Sequence, residues 1–248
     1  MEVSAPILQS RSSCESLKEK DGAMLVAAAA DSNSNSSSSS TADTDGPPLL
    51  VTPLRFGIVQ PKLYRGLYPR KLNLPFLRRL KLKTILSLTP EPLIEEIQQF
   101  CREEGIEMMH IKTSKSKKKD VSITYKEVTQ AIEIIISQSH APLYLHCLNG
   151  SQATSLVIAC LRKLSFWRTS SIFSEVSYYS QVTAADHKFV EEYTAEIQLP
   201  ADPVNWIWMG LSRKGVVENH PTVKIKHAET VVVVENEESV QEVEVSYL

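Results

Sequence analysis

Hydrophobic and polar positions follow no secondary-structure period up to about residue 50, and then fall into alternating strand and helix patterns. Ser32 to Ser40 holds only Ser and Asn, and Thr41 to Pro48 adds acids, Gly and Pro. Such a segment buries too little apolar surface to offset its ordering entropy, so residues 1–50 are expected to form a disordered tail. From Pro53 the pattern predicts a short strand at Leu63–Arg65, a turn at Gly66–Pro69, a short helix over Asn73–Lys81 and a buried strand at Thr84–Leu88. Pro90 and Pro92 open a helix to Glu104, with Ile94, Ile97 and Phe100 on one face and Gly105 as its stop. A strand follows at Glu107–Ile111. Thr124 and Glu127 form a capping box that starts a helix to about Ser137.

Leu143–Cys147 is apolar on both faces and predicts the central strand. Ser155–Leu164 is apolar almost all round and predicts a buried helix. Two more helices are expected near Thr169–Ser180 and His187–Ile197. Alternating strands and helices imply an α/β fold, with a central, largely parallel sheet flanked by helices. The domain is expected over 51–200. Residues 201–248 form a Trp-containing extension and an acidic tail, which has six Glu and no Lys or Arg from Ala228 onward. Within the tail, Val231–Val234 followed by Glu235, Glu237 and Glu238 reads as a strand able to add to a partner's sheet.

Composition narrows the function. A net charge of −2 gives no global attraction to nucleic acid. The apolar run Ala23–Ala30 is too short to span a membrane, and no cleavage site follows it. The four cysteines, at 14, 101, 147 and 160, show no paired spacing, so a reducing, cytoplasmic setting is expected rather than a disulfide framework. No Cys-x2-Cys or His-x3-His pair points to zinc, and no cofactor is implied.

The chemistry concentrates where the central strand ends. In open α/β sheets ligands sit beyond the carboxyl ends of strands. Cys147 lies there, Gly150 permits a tight turn, and a helix follows. A helix N-terminus offers N–H groups and partial positive charge to an anion, and favours a cysteine nucleophile. The loop Leu148, Asn149, Gly150, Ser151, Gln152, Ala153 and Thr154 is therefore the candidate phosphate-binding segment, with the Thr154 hydroxyl placed to donate to Cys147.

These residues resemble a known family, the atypical dual-specificity phosphatases of plants and fungi, and within it the fungal group named for oxidant-induced cell-cycle arrest. The resemblance runs from about Phe56 to Tyr193. It rests on Leu63-Tyr-Arg-Gly-Leu-Tyr-Pro69, Lys83-Thr-Ile-Leu-Ser-Leu88 with Pro90-Glu91, Leu143-Tyr-Leu-His-Cys147, Cys160-Leu-Arg-Lys-Leu164 with Trp167, and Ser171-Ile-Phe-Ser-Glu175. It implies a cysteine-phosphatase fold, assigns Cys147 as the phosphocysteine position, and implies phosphotyrosine-type or inositol pyrophosphate substrates. The family loop reads His-Cys, five residues, then Arg. Here that sixth residue is Ala153, and no Lys, Arg or His lies between Cys147 and Ser155.

Arg grips phosphate in a bidentate manner that small side chains cannot reproduce. Loss of such a group costs about 10³–10⁵ in phosphoryl-transfer rate and leaves Cys147 closer to an ordinary thiol. Arg162 is no substitute, since a continuous helix puts it roughly 13 Å further along the axis. The Lys112, Lys115, Lys117, Lys118 and Lys119 cluster lies in a loop that opens on the same side of the sheet, and Asp120 there is the candidate general acid. Three functions stand open. The first is a catalytically impaired phosphatase fold that binds a phosphorylated protein or inositol polyphosphate, or scaffolds related phosphatases. The others are a working phosphatase with Cys147 as nucleophile, and a purely structural interaction module.

Overall fold

The computed structural model describes residues 49–114, 122–227, 230–236 and 239–245; of residues 227, 230–236 and 239–245 only the backbone is described. A five-stranded sheet organises the chain. Its strands are β1 (Gly57–Gln60), β2 (Leu63–Leu67), β3 (Thr84–Thr89), β4 (Glu107–Lys112) and β5 (Leu143–Cys147), in the order β1-β2-β5-β3-β4. β5 runs parallel to both its neighbours and β3 runs parallel to β4, while β1 alone is antiparallel. The register sets Cys147 beside Leu67 and Leu88.

Both faces of the sheet are covered, and this is why β3 and β5 read as unbroken buried runs. Side chains alternate between two clusters, as the pleat requires. Leu143, Leu145, Leu86 and Leu88 join the larger core. Tyr144 and Ile85 face the smaller one, with Leu77 from α1 (Leu74–Arg79) and Ile97 and Phe100 from α2 (Glu95–Glu104). The larger core is closed by α3 (Tyr125–Ile136), α4 (Gln152–Leu164), α5 (Thr169–Ser177) and α6 (Ala184–Glu192).

The expected α/β architecture is present, and its differences from the sequence reading have local causes. α2 stops at Gly105 in the left-handed region as expected, but it starts at Glu95, because Ile94 takes the N-cap position with an extended backbone (φ −66°, ψ 154°). α3 carries the Thr124–Glu127 capping box. α4 begins at Gln152, three residues before the predicted start, so Ala153 and Thr154 are helical. The helix expected over His187–Ile197 is replaced by α6 and a strand. A Thr183–Asp186 capping box moves the helix start forward to Ala184. Beyond Tyr193 the period becomes two, with Ile197 and Leu199 buried between exposed Glu196 and Gln198, so β6 (Ala195–Leu199) forms.

β6 pairs in parallel with β7 (Val223–His227). Ile207, Trp208, Val216 (from α7, Arg213–Asn219), Val223 and Ile225 belong to the same core as α4. Trp208 Nε1 donates to the Leu164 carbonyl at 3.0 Å. The valine run, read as able to add to a partner's sheet or else as a β-prone stretch kept soluble by its glutamates, lies in β8 (Thr230–Asn236), which pairs antiparallel with β9 (Ser239–Val245) of the same chain. No helix among the described residues is long and apolar enough to cross a membrane.

Candidate active site

β5 delivers His146 and Cys147 to its carboxyl end, and the chain turns through Leu148–Ser151 into α4. The turn needs its glycine twice over. Gly150 has φ +66°, and a Cβ there would lie 2.7 Å from backbone atoms of Gly66 and Leu67. The Leu63–Pro69 motif is therefore the platform on which the loop rests. Its Arg65 is 1% exposed and reaches up from β2. Arg65 Nη2 donates to the Gly150 carbonyl at 3.1 Å and to Ser155 Oγ at 2.7 Å. Its guanidinium lies 3.8 Å from the Tyr179 ring centre. Burial draws the Arg65 pKa down to about 10, partly offset by Tyr179 and Cys147, so the group stays cationic at neutral pH.

Arg55 holds the loop from outside. Its Nη1 donates to the Asn149 carbonyl at 2.9 Å and its Nε to the Tyr179 carbonyl at 3.0 Å. Reading only the window between Cys147 and Ser155 misses both arginines. The signal was present for Arg65, since Leu63-Tyr-Arg-Gly is one of the matching motifs; nothing in the sequence marked Arg55.

Cys147 is 4% exposed and lines a cavity of about 270 Å³. Leu148, Asn149, Gln152 and Ala153 share that cavity with it, and Leu88, Pro90 and Thr113 form the facing wall. Ser114 and Ser122 complete the lining, and Ser114 Oγ donates to the Ser122 carbonyl at 3.1 Å. No charged side chain lines the cavity among the described residues. The Cys147 thiol donates to Asn149 Oδ1 at 3.4 Å, and the Ser151 N–H donates to the same oxygen at 3.1 Å. Gln152 Nε2 donates to Asp186 Oδ1 at 3.2 Å. The Thr154 hydroxyl, read as a donor to Cys147, is buried and makes no hydrogen bond among the described residues. Asp120 and Lys115–Lys119 lie outside the described residues, and Lys112 is exposed at the end of β4.

His146 is fully buried behind the thiol, with Nε2 2.8 Å from Ser87 Oγ and Tyr68 packed edge-on at 5.3 Å. Burial pulls the His146 pKa down to about 3, so the ring is neutral and adds no charge. Two more cations are committed elsewhere. Arg162 binds Glu175 through Nε at 2.7 Å and Nη2 at 2.8 Å, and stacks on Trp167 at 4.2 Å. Lys163 Nζ donates to the carbonyls of Val190, Glu191 and Tyr193.

A cysteine at the end of a central parallel strand, followed by a glycine turn and an uncapped buried helix, is the arrangement of cysteine phosphatases. A family model described as the tyrosine phosphatase family matches residues 50–212. The chain belongs to that family. It is 41% identical over 198 residues to the protein OCA6 of Saccharomyces cerevisiae, covering 72% of this chain and 88% of that one. It is 36% identical over 148 residues to the inositol diphosphatase DSP1 of Oryza sativa subsp. japonica, covering 59% and 67%. Among solved structures, it is similar to the core catalytic domain of the PP-IP phosphatase SIW14 from S. cerevisiae in complex with citrate. That match has a TM-score of 0.55 and 34% identity, covering 58% of this chain and 88% of that one.

Proposed function

We propose that this chain is a phosphatase-fold protein in which ligand binding persists and turnover is impaired. The cavity over Cys147 receives a phosphorylated ligand, either a phosphoprotein or an inositol polyphosphate, without efficient transfer to sulfur. One observation carries this reading: the side chains that line the cavity beside Cys147 include no cation and no carboxylate among the described residues. Phosphoryl transfer depends mainly on positioning and on neutralising equatorial charge, and the described wall, with Ala153 at the sixth position after Cys147 and no Arg or Lys, does neither well. The unfilled N–H groups that open α4, where Ser151 provides no side-chain cap, still favour an anion there. The inositol diphosphatases among the relatives support a polyphosphate as the ligand class.

Another observation favours a second reading, an active phosphatase. Arg65 brings a cation against the loop from beneath, where its Nη2 holds the Gly150 carbonyl. Thermal shift with inositol hexakisphosphate, run beside hydrolysis of an aryl phosphate, separates the readings. Stabilisation without turnover is the expected outcome. Turnover that Cys147→Ser abolishes supports the active enzyme, and neither effect supports a structural module.

A further inference from the structure

We propose that His220 is a pH-sensitive pin that fastens the 201–226 extension to the C-terminal end of α4, holding it while the imidazole is neutral and releasing it when the ring takes up a proton. Pro221 keeps the His220 backbone extended (φ −64°, ψ 124°), which ends α7 there. Both ring nitrogens are committed. Nε2 donates to the Leu164 carbonyl at 3.2 Å. Nδ1 accepts the backbone N–H of Thr222 at 3.3 Å and that of Val223 at 3.1 Å. A carbonyl only accepts and a backbone N–H only donates, so these partners fix the tautomer that carries its proton on Nε2. A second proton must go on Nδ1, where it would meet two donors and break both bonds. The ring therefore cannot be protonated in place.

The three bonds join elements that are far apart in the chain. Val223 opens β7, and its pairing with Ala195 is the first rung of the β6–β7 ladder. Leu164 is the last residue of α4, the helix that begins at the Cys147 loop. Its carbonyl also accepts from Trp208 Nε1 at 3.0 Å, so two donors of the extension converge on one oxygen. Behind them Trp208, Val216, Val223 and Ile225 are buried in the core that α4 shares. Release of the pin thus frees the start of β7 and loosens the cover over these side chains.

The surroundings oppose a charged ring. Phe166 packs on it with ring centres 4.7 Å apart. Lys163 of α4 and Glu191 of α6 are the charged side chains that share a cavity of about 400 Å³ with His220. Lys163 disfavours a second positive charge, while Glu191 favours one but is exposed, so its pull is screened. On the extension itself Glu218 and Lys224 are exposed, and Glu218 pairs with Lys214 at 3.9 Å. Burial lowers the His220 pKa from its ordinary 6.5, offset in part by the bond to Leu164 and helped by Lys163. The released ring therefore takes up the proton first. Fastening is whole above about pH 6.5 and weakens as pH falls below it.

The test is amide hydrogen exchange, read by mass spectrometry at about pH 7.5 and about pH 5.5 and corrected for the intrinsic effect of pH, on the full chain and on His220→Gln. Glutamine does not titrate in this range, and His146 is present in both proteins, so its effect cancels in the comparison. Between the two pH values, amides of 206–226 in the native chain are expected to lose about three- to tenfold more protection than the same amides of the variant. At the lower pH they are also expected to be less protected than the amides of β5, as local release requires. Equal pH dependence in the two proteins overturns the pin, and so does exchange of 206–226 in step with β5. Should the variant fail to fold, NMR titration of the native chain decides. A His220 ring that titrates below 6.5 together with a shift of the Val223 amide upholds the pin, and a ring that titrates at 6.5 or above with that amide unmoved overturns it.

Discussion

Gly150 packs directly on Gly66, so closely that a single added Cβ on Gly150 would sit 2.7 Å from the Gly66 carbonyl carbon and oxygen. The Cys147–Ser151 loop and strand β2 are thereby locked together. Gly150→Ala has to relieve both this clash and a left-handed backbone at φ +66°. We expect it to cost about 2–4 kcal/mol in urea denaturation. A cost below about 0.5 kcal/mol, within the range of ordinary surface substitutions, would show that the loop does not rest on β2 as described.

The ion pair between Arg162 and Glu175 ties α4 to α5, and its Arg side chain is nearly buried, at 5% exposure. Arg162 Nη2 also donates to the Val59 carbonyl at 2.9 Å, so β1 shares the anchor. Glu175→Ala leaves the guanidinium buried without its counter-charge and is expected to cost about 3 kcal/mol. Replacing both partners, Arg162→Met with Glu175→Leu, is expected to recover most of that loss. Chemical denaturation of the two variants checks the pair, and a double variant no better than the single one contradicts it.

His146 makes stability depend on pH. Its folded pKa lies near 3 against an ordinary 6.5, so only the unfolded chain takes up the proton between those values. The contribution is whole above about pH 6.5 and is lost as pH falls toward 3, at up to about 1.4 kcal/mol per pH unit. His220, whose pKa burial also lowers, adds in the same direction. Denaturation curves at pH 7, 6 and 5 are expected to fall more steeply for the native chain than for His146→Gln, whatever their stabilities at pH 7. Equal slopes would show that His146 protonates in the folded state.

Much of this architecture is legible in the sequence because burial leaves a pattern. β5 reads as apolar on both faces because helices cover both sides of it, and the Thr124–Glu127 box and Gly105 mark their helix ends by local chemistry alone. The second half of His187–Ile197 was misread because a short alternating run becomes a strand only when it meets β7, more than twenty residues later. Cys147 and Gly150 were legible because each is required by its own backbone position. Arg55 was not, and Arg65 was marked only as part of the Leu63–Pro69 motif, since their roles depend on contacts to Asn149 and Gly150 some ninety residues away.

The central claim is that the phosphatase scaffold is intact around Cys147 while the phosphate clamp is missing at Ala153. Steady-state hydrolysis of an aryl phosphate and of an inositol pyrophosphate, by the native chain and by Ala153→Arg, tests it most directly. The account predicts negligible turnover by the native chain on both substrates, and measurable turnover in the variant that Cys147→Ser then removes. Robust turnover by the native chain, abolished by Cys147→Ser, would contradict it.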